Sequence, residues 1–292
     1  MTPRPDSWID TPWPDNPQVH GVFTSRQGGA SAGPYAGAAR MPGREPSGGM
    51  NLGSHVGDAP QAVASNRARL AAWLGDVRVV YLDQVHGTEV ADLDRWDGAS
   101  TPQADAAVTT TPGLAACVLV ADCLPVLFAA PDGRAVGAAH VGWRGLAGGV
   151  LDHTLQALCR KADCKPAEVQ AWLGPAIGPR AFEVGGEVRS AFVQQDSEAS
   201  GAFVAMAQPG KWLANLFQLA RLRLQAAGMV GSQVQGGGVC TVSDPARYFA
   251  YRRDRITGRQ AGLVWIAARS ASARASGACK ATGTDPGAGK SR

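Results

Sequence analysis

Four short apolar runs dominate the middle of the chain: Ala106–Thr110, Ala115–Val120, Pro125–Ala129 and Ala135–Val141. Each is too short for a helix and is bounded by Gly, Pro or Asp, so the pattern predicts four strands. Pro131-Asp132-Gly133 between the last two predicts a hairpin. Before them, residues 60–74 place Val63, Leu70 and Leu74 near helical spacing, and Arg78–Leu82 is β-branched and aromatic enough for a strand. After Gly145, Leu151, Leu155 and Leu158 share one helical face, predicting a helix to about Lys161. Val169–Leu173 follows as a strand, Gly186–Gln194 as a short helix, and Lys211–Ala227 as a longer amphipathic helix stopped by Gly228. Arg247–Arg252 and Gly262–Ile266 read as the final strands.

Between Gly28 and Gly53 the chain is mostly Gly, Ala, Pro and Ser without a sustained period, which predicts a long surface loop. Beyond Ser270 large apolar residues cease, which predicts a disordered tail over 269–292. Residues 1–19 read as an N-terminal extension and 20–268 as one large domain, since no linker divides them. Charged residues are 18% of the chain, below the roughly 25% of an average soluble protein. With 37 Gly and 19 Pro, this composition favours short strands and turns over long helices.

The net charge of +4 is concentrated at one end: residues 271–292 hold Arg274, Lys280, Lys290 and Arg292 against Asp285 alone, so +3 of it sits there. The nearly neutral body argues against nucleic-acid binding, which needs a clustered basic face. Asp122 interrupts the most apolar window, Ala115–Ala130, well short of the roughly 20 residues of a membrane helix. The six cysteines, at 117, 123, 159, 164, 240 and 279, form no regular framework, and the N-terminus lacks a signal-peptide pattern. A cytoplasmic protein, monomeric or a small homo-oligomer, is the expectation.

The chemistry gathers where apolar runs end. Cys123 follows Asp122 at a sharp Asp-Cys-Leu-Pro break, His140 closes another run, and His86 follows the Arg78–Leu82 strand in a turn. One thiol and two imidazoles suit a transition metal and leave a fourth tetrahedral corner for water or substrate. Two other readings of Cys123 remain at this level: an inert buried thiol, and a nucleophile activated by His140. A structural metal staple would need a further ligand, such as Cys117 or His55. His153 falls inside a predicted helix and reads as structural. Glycine-rich turns at 25–29 and 48–53, with Arg26 and Asn51, are anion-site candidates, as are Arg144 and the Arg252-Arg253 pair. Arg253 reads equally well as an ion-pair partner of Asp254 or Glu183.

Taken together, Thr24-Ser25-Arg26-Gln27-Gly28-Gly29, Asn51-Leu52-Gly53, Gln84-Val85-His86-Gly87, Ala121-Asp122-Cys123-Leu124-Pro125, His140-Val141-Gly142-Trp143-Arg144-Gly145, Gly178-Pro179 with Phe182-Glu183-Val184, and Tyr251-Arg252-Arg253-Asp254 resemble the laccase-domain family. Its members carry three descriptions: multicopper polyphenol oxidases, peptidoglycan-editing factors and zinc-dependent purine nucleoside phosphorylases. The resemblance runs from about residue 20 to 267. It implies an α+β fold, a helix/sheet/sheet/helix sandwich with mixed β-sheets. It also implies His86, Cys123 and His140 as ligands of Zn²⁺, with copper the less favoured ion. The implied partners are purine nucleosides and inorganic phosphate. The implied chemistry is phosphorolysis of adenosine, inosine and S-methyl-5'-thioadenosine, with adenosine deamination as a side activity.

Within that resemblance Arg26 and Asn51 are expected to hold phosphate and Asp122 to orient a metal ligand. Glu183 is expected in proton transfer or nucleoside recognition, with Arg144 and Arg253 as further anion contacts. The deaminase part rests on the resemblance alone, because the H-x-E and P-C-x-x-C signature of base deaminases is absent. Copper-oxidase chemistry is disfavoured by five scattered histidines, at 20, 55, 86, 140 and 153, with no H-x-H pair. A cysteine hydrolase trimming peptidoglycan precursors is the other enzymatic alternative.

Overall fold

Alternation along the central strands sorts their side chains into three layers of core. In the computed structural model, which describes residues 4–37 and 48–268, Ala116 and Val118 of strand Leu114–Val120 face a neighbouring sheet, while Cys117 and Leu119 face a helix layer. Strand Leu124–Ala129 does the same, with Leu127 and Ala129 on the inter-sheet side and Leu124, Val126 and Phe128 on the other. Both faces are buried, so these strands read as unbroken apolar runs instead of alternating with polar residues.

Two mixed sheets result. The five-stranded sheet runs in the order Ile9–Asp10, Val19–Phe23, Gln260–Ile266, Leu114–Val120, Arg78–Val80. The six-stranded sheet runs Val234–Gly236, Gln170–Leu173, Leu124–Ala129, Val136–Val141, Ala106–Thr109, Val90–Asp92. Their facing sides share one core with Val19, Phe23, Val118 and Val264 against Leu127, Val136 and Ala138. Helix Pro60–Leu74 covers the outside of the first sheet through Leu70, packed with Val22, Leu119 and Leu263. Helices Val150–Ala162 and Leu216–Ala226 cover the second. Leu151, Leu155 and Leu158 are almost wholly buried there, each contributing about 1.5–3 kcal/mol by leaving water. This is the expected helix/sheet/sheet/helix sandwich. The hairpin of the predicted third and fourth strands forms as expected, pairing Leu124 with Val141 and Ala129 with Val136.

Several elements depart from the sequence reading. Lys211–Ala227 is not one helix: Lys211–Ala214 is the centre of a three-stranded sheet with Glu183–Gly185 and Phe203–Ala205. Asn215 then caps the helix Leu216–Ala226, its side chain accepting from the Gln218 N–H at 3.1 Å. The expected strand Arg247–Arg252 ends in a short helix, Tyr251–Asp254, instead. The helix after Gly145 is two, Trp143–Gly148 and Val150–Ala162, broken at Gly149 with φ 98°. Within the expected loop 28–53, Gln27–Ser31 is a strand; residues 38–47 of it, and the tail 269–292, lie outside the described residues. The N-terminal segment read as an extension places Trp8 and Trp13 in the core. Among the described residues no helix is long and apolar enough to cross a membrane.

Candidate metal centre

His86, Cys123 and His140 converge although 37 and 17 residues separate them in sequence. Their ligand atoms all lie within 4.8 Å of one another. Cys123 Sγ stands 3.8 Å from His86 Nε2. The two imidazole rings meet nearly edge to face, with centroids 4.8 Å apart.

Strand pairing delivers the last two. Cys123 immediately precedes strand Leu124–Ala129, whose Leu124 and Pro125 pair with Val141 and His140. Positive φ values position the turns: 61° at His86 and 90° at Asp122, a region L-residues seldom adopt and one that accumulates at functional sites. Gly142 completes the packing, because a Cβ there would come within 3.0 Å of the His86 ring and 3.2 Å of Cys123 Sγ.

A residue absent from the sequence reading organises the centre. Asp105 is fully buried, and its Oδ1 accepts from His140 Nδ1 at 2.8 Å. The same carboxylate accepts the backbone N–H groups of Val85, His86 and Gly87 at 3.1, 2.9 and 2.6 Å. It thus fixes both the His140 ring and the turn carrying His86. Only its place ahead of the apolar strand beginning at Ala106 marks Asp105 in sequence, and that is too weak a signal to single it out.

These donors fit a metal ion. Asp105 occupies His140 Nδ1 and leaves Nε2 for coordination, the carboxylate–histidine arrangement common behind metal ligands. Burial pushes the Cys123 thiol up, but His140 and His86 outweigh it and bring its pKa down to about 6. Burial lowers His140 while Cys123 and Asp105 raise it further, to about 9. The thiolate favoured by this setting is the form that binds metals. Cys117 lies in the helix-facing core. Among the described residues no fourth Cys, His, Asp or Glu joins the cluster, so the structural-staple reading lacks its closing ligand.

The three residues open on a cavity of about 500 Å³. Leu119, Ile177, Phe182 and Leu216 give it an apolar wall, Trp143 and Tyr251 an aromatic one, and Arg144, Arg252 and Arg259 positive charge; His55 also lines it.

The remaining expected site residues divide. Arg144 lines the cavity, its guanidinium 4.6 Å from the Trp143 ring. Asp122 also lines it, but its carboxylate accepts from the Thr241 hydroxyl and the Arg252 N–H, both at 2.6 Å, and so ties the Cys123 turn to the Tyr251–Asp254 helix. Arg26 does not line it: its guanidinium donates to the Ala36 carbonyl at 2.8 and 3.1 Å and to Pro245 at 3.1 Å. Arg253 is likewise committed, to Asp254 and to the carbonyls of Thr241, Val242 and Tyr248. Glu183 pairs with Lys211 at 3.3 Å outside the cavity lining. Asn51 is buried and accepts the Arg259 N–H at 2.9 Å, so it reaches the cavity only through Arg259. Arg259 itself stands in the YRRDRITGR segment, eight residues after Tyr251, where the neighbouring arginines drew the reading away from it.

Known proteins resemble the whole assembly. The chain matches the family described as multi-copper polyphenol oxidoreductase laccase over residues 20–267. It is 46% identical over 261 residues to the purine nucleoside phosphorylase PA4543 of Pseudomonas aeruginosa, covering 89% of this chain and 99% of that one. It is 45% identical over 256 residues to the purine nucleoside phosphorylase YfiH of Escherichia coli, covering 87% and 96%. The crystal structure of the Neisseria meningitidis protein NMB0706 superposes with a TM-score of 0.80 at 43% identity, covering 90% of this chain and all of that one. YlmD from Geobacillus stearothermophilus follows at 0.79 and 31%, covering 89% and 96%. The family match over residues 20–267 and these likenesses show that the chain belongs to the family described as multi-copper polyphenol oxidoreductase laccase, and relatives at 45–46% identity are named purine nucleoside phosphorylases.

Proposed function

We propose that this chain is a zinc-dependent purine nucleoside phosphorylase. One observation carries the reading: a His-Cys-His cluster opens on a cavity that joins apolar and aromatic walls to an arginine rim. A purine ring suits the first, and a ribose with its attacking phosphate suits the second. The relatives' names support the same class.

In this reading phosphate meets the cationic side, where Arg252 and Arg259 hold it and Arg144 adds charge at the mouth. Arg26 and Asn51 are relieved of the phosphate contact, Asn51 serving to position Arg259. Phe182 and Trp143 flank the base. A phosphate oxygen bonds to the anomeric carbon as the bond to the purine nitrogen breaks, and the proton of hydrogen phosphate ends on the departing base. His86, Cys123 and His140 would hold a zinc ion, which would supply Lewis-acid polarisation at this end of the cavity. Adenosine, inosine and S-methyl-5'-thioadenosine are the proposed substrates. Adenosine deamination, in which water replaces the amino group and ammonia leaves, is the part that family likeness alone supports.

The test is chromatography of purified protein incubated with inosine or adenosine, with and without phosphate. Ribose 1-phosphate and free base appearing together, and only with phosphate, are the expected result. Base release indifferent to phosphate, or no product, overturns the reading.

The cysteine-hydrolase alternative keeps one specific observation in its favour, the Cys123 thiol within 4.8 Å of the His86 and His140 ring nitrogens, which favour its thiolate. A bound metal separates the two, because coordination ties up a lone pair of the thiolate and weakens its attack on carbon.

A further inference from the structure

Helix Val150–Ala162 stops at Asp163, which takes the left-handed conformation with φ 49° and ψ 58°. There the Cys159 carbonyl accepts two backbone N–H groups, from Asp163 and, at 3.2 Å, from Cys164. A bond from the residue after a left-handed stop back to the last turn of the helix defines a Schellman turn, which sets the two bonded residues' side chains against each other. An apolar pair commonly fills these positions. Here both are cysteines.

The turn brings them close enough to be joined. With N and O 3.2 Å apart, standard bond lengths hold the two Cα atoms within about 7 Å, and disulfides span roughly 4.4–6.8 Å between Cα atoms. Both side chains pack against the core that holds Leu155 and Leu158, yet both stay partly exposed, within reach of a small reagent. Burial pushes the Cys164 thiol up, but the Cys159 thiol donates to its sulfur and Arg134 adds positive charge, both favouring its thiolate against Glu168 and Asp163. Burial and the neighbouring Cys164 push the Cys159 thiol up to about 12. Cys164 is therefore the sulfur that attacks first, and Cys159 the one that resolves. Neither lines the metal-centre cavity.

We propose that Cys159 and Cys164 are a modification site, a dithiol that a small-molecule disulfide of the glutathione type converts to an intramolecular disulfide, stapling the end of this helix. The Cys164 thiolate attacks one sulfur of the reagent and expels the other half, leaving a mixed disulfide. Cys159 then displaces the half that remains. One S–S bond forms in the protein as one breaks in the reagent, two electrons pass from the cysteines to it, and the two thiol protons end on its released thiols. The proposal is independent of the reaction assigned to the metal centre.

The test treats the zinc-loaded full chain with excess oxidised glutathione, blocks remaining thiols with N-ethylmaleimide and digests with trypsin in the absence of reductant. Trypsin cuts after Arg160 and Lys161, between the two cysteines, so closure leaves residues 145–160 joined to residues 162–180 until a reductant parts them. Mass spectrometry is expected to find this linked pair in excess over glutathione held at either position. Cys159→Ser, which removes the resolving sulfur, should retain glutathione on Cys164. The closed chain should melt about 2–6 °C above the reduced one, as a short cross-linked loop does, and Cys159→Ser treated in the same way should show no such gain. Glutathione retained on both sulfurs, both left free, or a closed chain that melts no higher than the reduced one overturns the proposal.

Discussion

Asp105 Oδ1 and His140 Nδ1 lie 2.8 Å apart in the buried interior, and that contact links a strand end to the metal-ligand cluster. Asp105→Asn keeps the shape but presents donors to donors. Its metal affinity is expected to fall by about 10- to 100-fold, the range seen when outer partners of ligating histidines are removed. Competition against a chromophoric chelator measures this. Unchanged affinity in a folded variant would show that the carboxylate only shapes the turn.

Metal removal should abolish phosphorolysis, and added zinc should restore it. In the metal-free protein, iodoacetamide is expected to alkylate Cys123 with a pH midpoint near about 6, well below that of an ordinary thiol. Zinc should suppress that alkylation. Activity that ignores chelators while alkylation proceeds unslowed would favour the cysteine hydrolase.

Arg259 and Arg26 make a discriminating pair. Arg259→Gln is expected to raise the phosphate KM by about tenfold or more, because a charge-assisted hydrogen bond contributes about 1.5–3 kcal/mol. Arg26→Gln should leave that KM in place and lower the melting temperature, since its guanidinium ties Ala36 and Pro245. Steady-state kinetics with varied phosphate, beside thermal melts, separate the two outcomes. The reverse pattern would return phosphate to Arg26.

Acid stability should depend on Asp94. Burial works against its charge, but hydrogen bonds from Lys161, Thr109 and Thr110 outweigh it and hold the carboxyl well below its ordinary range. A depressed folded pKa stabilises the protein above the unfolded value of about 4 and loses that effect as pH falls toward the folded one. Asp94→Asn should therefore cost about 1–2 kcal/mol at neutral pH, after allowance for its partial exposure, and should flatten the acid limb of the stability curve. Denaturant titrations between neutral and acidic pH measure both effects.

Much of the architecture was legible because strands buried on both faces leave unbroken apolar runs; Leu114–Val120, Leu124–Ala129 and Val136–Val141 formed close to where the pattern put them. Helix Val150–Ala162 was legible through the spacing of Leu151, Leu155 and Leu158. Lys211–Ala214 was misread because Leu213 fits a helical stripe as well as a strand, and only pairing on both sides, to Glu183–Gly185 and Phe203–Ala205, decides between them.

The three candidate ligands stood at the ends of apolar runs as residue types that suit a metal, but residue type left Cys123 open to an inert buried thiol and a nucleophile, and only their convergence within 4.8 Å favours the joint site. Residue type could not tell Arg259 from Arg253, or Arg144 from Arg26. What separates them is the cavity lining, which includes Arg259 and Arg144 but not Arg253 or Arg26, and that lining is assembled from segments remote in sequence. Asp105 shows the same limit: the carboxylate matters because pairing across strands sets it beside His140 and beneath the turn of His86. Composition and periodicity thus determined the layers and the chemical inventory, because both are local properties of the chain. Which groups meet, and which are consumed by the backbone, was decided by long-range pairing that no local pattern encodes.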